Sequence, residues 1–376
     1  MAESLSGWLG VLTDRRSAQP PVAEPEFCRE LCAAAPHYGL KVIVFPPDGV
    51  QPDGRMVAGY AWQEGRWETV LAPAPDVLLN RCLRSGPGSG KTAALAALSG
   101  ALPWSRGLPD KWGVYRLLSR EPEAARLLPP TRRYSGPASL KAMLAGRGDG
   151  VFLKPADGSQ GRGTLHIASA GGSGMRVRGR TGTNHSFEQR FDRAEDALRW
   201  VHAFAGTRRY IIQPYLHLTG RDGQPYDIRA LVQKNGRGVW SLTGMAVRLG
   251  SSGSITSNLH GGGTAVSPLP FLLREFGGRG PELLSSIAAD ALMLPPLLEA
   301  ACGRLGELGL DFGIDRSGSI CLLEANSKPG RSAFRLTGDR EASRLAVHNP
   351  LRYARYLLQQ SGKTGSKITM VSKEDS

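Results

Sequence analysis

LDFGIDRSGSICLLEANSKPGR, residues 310–331, reads as a β-hairpin with a cation site at its open end. Asp311 to Ile314 form one strand, Asp315-Arg316-Ser317-Gly318 has the Asp and Gly chemistry of a tight reversal, and Ser319 to Leu323 return. Asp311 and Glu324 then lie near the same end of the paired strands, and Asn326 shares the face of Glu324 because side chains alternate with a period of two. Two carboxylates and an amide oxygen form a hard, all-oxygen set suited to Mg2+. The plainer alternative is a hairpin with ordinary surface acids.

Upstream motifs favour the cation site. GVFLKPADGSQGRGTLHI, residues 150–167, reads as strand, glycine loop, strand, with Lys154 at the end of the first strand. Gly158, Ser159, Gly161 and Gly163 form a turn whose amides can fold over phosphates, and a point charge on Lys154 suits a nucleotide's α- and β-phosphates. A loop not followed by a helix is no dinucleotide fingerprint, and by itself it is simply a Gly-rich hairpin. Lys111 stands at the start of a helix that follows Pro109, with Asp110 as its N-cap.

Arg209 to Leu216 is a buried strand that leaves into an extended segment at Pro214. Arg229 in the alternating YDIRALV run and Arg248 at the end of the next strand can clamp an oxyanion together, or be solvated strand arginines. SNLHGGGT, residues 257–264, is a glycine loop before a helix expected over residues 281–308, and its His260 reads as a loop histidine. The first hundred residues alternate strands and helix, from Trp8–Leu12 through the helix at residues 25–38 to Asp76–Asn80, and predict a small α/β domain. SGPGSGKT, residues 85–92, is a P-loop decoy: Ser85 stands where the motif needs glycine, so a connector is the better reading.

With 376 residues, 41% of them apolar, the chain has material for two or three cores. Its N-terminus lacks a basic leader with a long apolar run, so cytoplasmic residence is the expectation and no membrane segment is foreseen. The scattered Cys28, Cys32, Cys82, Cys302 and Cys321 suggest neither a disulfide framework nor a zinc site. The net charge of +14 is spread along the chain without any nucleic-acid-binding signature. Phosphate handling or an acidic partner accounts for it, and nucleic acid is not expected.

Taken together, Lys111, LKP with its glycine loop, IIQPY, DIRALV, SNLHGGG and DFGID…LLEANSKPG resemble the ATP-grasp superfamily. The spacing of Asp311, Glu324 and Asn326 is similar to that of its D-alanine:D-alanine ligase and RimK-like members. DVLLNR, DKW and EANSKPGR look closer still to the YheC/YheD group, whose members are described as spore-coat-associated. The resemblance implies an α/β (α+β) ATP-grasp fold in which two subdomains clasp ATP behind a small N-terminal α/β domain. Residues 1–105 would be that domain, 106–208 the lid with its Gly-rich loop, 209–361 the catalytic, metal-holding subdomain, and 362–376 a disordered tail.

It further implies that Lys111 and Lys154 hold phosphates, that Gly158, Ser159, Gly161 and Gly163 belong to the lid, and that Gln213, Pro214, Tyr215 and Leu216 read adenine. Asp311, Glu324 and Asn326 would hold Mg2+, for which Mn2+ can substitute, while Arg229, Arg248 and Asn258 would serve catalysis. Pro214 replaces a common Glu, which leaves adenine to the amide of Leu216. RimK-like proteins carry arginine where this chain has Thr256 and Gly261, which argues against a glutamate-adding role. The implied activity is an ATP- and Mg2+-dependent carboxylate–amine ligase working through an acyl phosphate on small-molecule or peptide acids and amines. A kinase-type enzyme and a spore-associated ATP binder with little turnover are the alternatives.

Overall fold

The computed structural model describes residues 7–17, 19–83, 90–158, 160–251, 257 and 263–362. Three sheets organise it. The first contains β1 (Gly7–Leu12), β2 (Leu40–Phe45), β3 (Met56–Gln63), β4 (Arg66–Pro73), β5 (Val77–Asn80) and β6 (Leu102–Pro103), in the order β4-β3-β2-β1-β5-β6. β2, β1, β5 and β6 are parallel, and β1 is buried at all six positions, as expected where elements cover both faces. Its helices are α1 (Pro25–Ala34), continued as a 3-10 turn to Tyr38, and α2 (Lys91–Ala97).

The second sheet is antiparallel, in the order β11-β10-β9-β8-β12-β7, with β7 (Arg132–Arg133), β8 (Val151–Pro155), β9 (Leu165–Gly171), β10 (Gly174–Arg180), β11 (Ser186–Phe191) and β12 (Tyr210–Pro214). Gly150, just before β8, has φ 82°, and a Cβ there would lie 2.0 Å from the carbonyl oxygen of Ile167. Only glycine lets β8 and β9 approach at that point. β12 lies beyond residue 208, yet it completes this sheet. Conversely, α3 (Lys111–Leu118) and α4 (Pro122–Ala125), which precede the sheet, pack in the core of the third. α5 (Pro137–Leu144) and α6 (Ala194–Ala205) cover one face of the second sheet.

The third sheet has the order β15-β14-β13-β16-β17, with β13 (Tyr226–Lys234), β14 (Trp240–Leu249), β15 (Thr264–Val266), β16 (Glu307–Ile314) and β17 (Ile320–Asn326). α7 (Pro268–Phe276) and α8 (Gly280–Cys302) pack on it. α8 ends six residues before the expected Leu308, because Gly303 turns at φ 77° and Glu299 accepts from the amide of Leu305. Pro268–Cys302 is the one stretch, among the described residues, whose length and hydropathy would allow it to cross a membrane; here Leu283, Ile287, Ala291, Leu294 and Leu298 are buried in the third sheet's core.

α9 (Ser332–Leu336) and α10 (Arg340–Ser361) close the fold. Leu351, Tyr353, Leu357 and Leu358 of α10 are buried with Leu9, Val11, Leu31 and Val44 of the first sheet's core. A polar network crosses the same interface. Arg81 donates to Glu24 at 2.8 Å, to Glu307 at 2.8 Å and to the Pro329 carbonyl at 3.0 Å, while Gln233 donates to Glu307 at 2.9 Å. Arg331 pairs with Glu307 and lies 3.8 Å over the Phe27 ring.

Candidate functional site

β8 turns Val151 and Leu153 into the second sheet's core, so alternation places Phe152 and Lys154 on the opposite face. The Lys154 ammonium donates to the carbonyl of Leu323, in β17, at 2.9 Å. Burial pushes its pKa down to about 8 despite the attraction of Glu324, and Lys111 adds to the fall. Lys111 reaches the same place from α3, whose first turn is capped by Asp110 accepting from the amide of Gly113 at 2.8 Å. Its ammonium donates to the Gly158 carbonyl at 2.6 Å and lies 3.3 Å from Glu324.

In the glycine loop, Gly161 and Gly163 have φ 69° and 71°, left-handed values that favour glycine. The Gly163 amide donates to Thr181 and its carbonyl accepts from the Tyr210 hydroxyl, so this amide is committed within the sheet rather than offered to a phosphate. Ser159 lies outside the described residues.

At the segment expected to read adenine, Gln213 donates to Thr131 Oγ1 at 2.8 Å and Pro214 pairs with Val151. The Tyr215 amide donates to Gly150, and its ring stacks on His166 with centroids 3.7 Å apart. The Leu216 carbonyl accepts from the Leu218 amide, and the Leu216 amide itself has no protein partner among the described residues. That is the donor which the resemblance would assign to an adenine edge.

Asp311 and Glu324 are direct partners across β16 and β17, and Asn326 stands opposite Gly309. Both Asp311 oxygens are engaged. Arg229 forms a two-pronged pair with it, one prong at 3.0 Å, and Arg248 reaches it at 2.8 Å while gripping Asp227 at 2.6 and 2.7 Å. The two arginines, expected to face phosphates, are turned onto carboxylates. Burial pushes the Asp311 carboxyl up, but Arg229 and Arg248 together outweigh it and hold it below the usual carboxylate range. At Asp227 burial wins over Arg248, with repulsion from Asp311 added, and its carboxyl is held above that range. Ser257 donates to Asp227; Asn258 and His260 lie outside the described residues.

Lys111, Lys154, Gly158, Gly161, Gln213, Pro214, Tyr215, Leu216, Arg248, Asp311 and Glu324 line one cleft. Gly163, Arg229 and Asn326 do not line it. Arg162, which the sequence places in the glycine loop, lines it too, and so do Asp227 and Thr164, which the sequence did not single out. Asp227 was readable, since it lies two residues before Arg229 on the same face of β13.

The paired carboxylates fit a hard cation: Glu324 is partly exposed to the cleft, and Asp311 can join it once its guanidinium partners turn away. Among the described residues no three His, Cys, Asp or Glu side chains cluster as a metal site.

Residues 103–357 match the family described as YheC/D like ATP-grasp. The chain is 27% identical over 358 residues to the endospore coat-associated protein YheC of Bacillus subtilis (strain 168), covering 91% of this chain and 95% of that protein. Among solved structures it is similar to D-cycloserine synthetase DcsG, with TM-score 0.58, 16% identity and coverage of 94% and 99% of the two chains. It is also similar to D-alanyl-alanine synthetase A from Vibrio cholerae O1 biovar eltor str. N16961, with TM-score 0.51, 14% identity and coverage of 96% and 98%.

Proposed function

Because the chain belongs to the YheC/D-like ATP-grasp family, we propose that it is an ATP- and Mg2+-dependent ligase that joins a carboxylate to an amine through an acyl phosphate. The observation that carries this reading is the single cleft in which two lysines, a free hinge amide and a carboxylate pair converge from two sheets. Lys111 and Lys154 hold phosphates, the Leu216 amide meets adenine, and the second sheet acts as the lid. Asp311 and Glu324, with Asn326 beside them, hold Mg2+, which neutralises charge on the transferring phosphoryl group. Arg248, at the cleft wall, and Arg229 behind it lie where guanidinia can turn from carboxylate to phosphate. Positioning and charge neutralisation carry such a reaction, so no side-chain nucleophile is needed.

The test is to incubate the protein with Mg-ATP and panels of acids and amines. An amide product with free phosphate supports the ligase. A phosphorylated acceptor as the only product replaces it with the kinase-type reading.

A binding role without turnover, at the endospore coat where YheC is placed by its name, is the second reading. The closed Arg229–Asp311–Arg248 cluster favours it, because it leaves the metal position filled by guanidinium. Mg-ATP that raises the melting temperature without any phosphate release would favour it over the ligase.

A further inference from the structure

Beyond the nucleotide cleft, the roof carries positive charge for which nothing above accounts. β10 turns Met175 and Val177 into the core, so Arg176, Arg178 and Arg180 share the opposite face, that of Lys154, Thr164 and His166. Arg178 pairs in register with His166, and the Arg180 amide donates to the Thr164 carbonyl at 2.9 Å. The row therefore starts beside the cleft wall and runs across the outer half of the lid.

On the neighbouring strand Arg190 stands directly opposite Arg176, an arrangement that repels. Glu188 is shared between Arg178 at 3.8 Å and Arg190 at 3.3 Å. Arg180 is buried, and the Nε atoms of both Arg176 and Arg180 are shut from solvent without a hydrogen-bond partner among the described residues. Donors left so cost stability unless something else satisfies them. The same field helps burial to hold His166 below its ordinary pKa.

We propose that this row is a docking strip for an extended acidic peptide, a multiply carboxylated substrate whose reactive end lies in the nucleotide cleft. Alternate residues on a strand stand about 6.6 Å apart, the spacing at which an extended peptide presents side chains of one face. Phe187 and Phe191 are turned toward the core and His166 is already stacked on Tyr215, so the strip offers no free ring for a nucleic-acid base. The strip also supplies positive charge that positions 256 and 261 lack. Calling the peptide a substrate rests on the ligase reading; its binding to the lid does not.

The test is fluorescence anisotropy of labelled hexaglutamate on the full chain. Binding is expected, weakening with salt, with about a tenfold loss in an Arg176→Ala/Arg178→Ala variant that retains its Mg-ATP thermal shift. Glu188→Gln, an exposed change that leaves the fold alone, is expected to tighten binding. Lys154→Met should keep hexaglutamate and lose the Mg-ATP shift, so failure of nucleotide binding in the wild type removes the ligase reading alone. The proposal is overturned if wild-type protein does not bind hexaglutamate, if neither the double variant nor Glu188→Gln changes its affinity, or if an oligothymidylate of equal charge binds more tightly.

Discussion

The ammonium of Lys154, in the second sheet, is hydrogen-bonded to the carbonyl of Leu323, in the third, at 2.9 Å. The side chain expected to hold phosphate thus bridges the two walls of the cleft. On the proposed reading, a nucleotide entering there would replace one carbonyl with charged oxygens, and the lysine would exchange a weak partner for a strong one.

Lys154 gives a pH prediction. Its folded pKa, about 8, is below the ordinary 10.5, so between those values the unfolded chain binds more protons and stability rises with pH. Below about pH 8 both states carry the charge and the burial cost is fully present, on the order of 3 kcal/mol. Lys328, also pushed down to about 8 by burial, contributes a parallel rise. Urea melts from pH 7 to 10.5 should therefore show a shallower rise for Lys154→Met than for wild type, and greater stability for the variant at pH 7. ATP affinity should fall as pH passes 8; an affinity flat to pH 10 would count against phosphate binding by this lysine.

Glu324→Gln and Asp311→Asn should separate metal binding from stability. Glu324 meets Lys111 at 3.3 Å in a partly exposed pair, so its loss should cost less than about 1 kcal/mol of stability while weakening Mg2+ dependence. Asp311 neutralises two buried guanidinia, and its replacement should cost about 3–5 kcal/mol. Thermal melts with and without Mg-ATP check both. Equal losses of stability would mean that the two carboxylates are not differently anchored.

Gly150→Ala should damage the lid. The substitution forces a side chain into a left-handed backbone position against the Ile167 carbonyl, and the Gly150 carbonyl also receives the Tyr215 amide. A loss of about 2 kcal/mol or more, with weaker ATP binding, is expected. A variant with wild-type melting and affinity would show that the contact yields easily.

Arg81→Ala should loosen the join between the first sheet and the rest. It strips Glu307 of one of its two cationic partners and Glu24 of its own, at a cost of about 3 kcal/mol or more. Denaturant melts followed by tryptophan fluorescence check this, and separation of one transition into two would locate the damage at this interface.

The hairpin was legible because its signal is local, whereas most of the near-P-loop at residues 85–92 lies outside the described residues. Asp315 and Gly318 make a reversal in any context, and Asp315 indeed accepts from the amides of Ser317 and Ser319 at 2.9 Å. Asp110 as a cap was equally local. What the sequence hid depends on pairing between distant strands. Arg229 and Arg248 read as free forks, but register sets Arg229 opposite Asp311 and Arg248 opposite Asp227. β12 sits in the second sheet through its pairing with β8, fifty-odd residues away by chain position, which no window of periodicity reveals. The roles given to Ser159 and Asn258 lie outside the described residues.

The last helix shares a core with the first strand, so closely that a Cβ on Gly7 would lie 2.4 Å from a methyl of Leu358. While the polypeptide is being made, the side of the opening sheet that this helix covers therefore waits for a segment synthesised long after it. Deleting this late helix should therefore leave the first sheet's apolar core open and prone to aggregate.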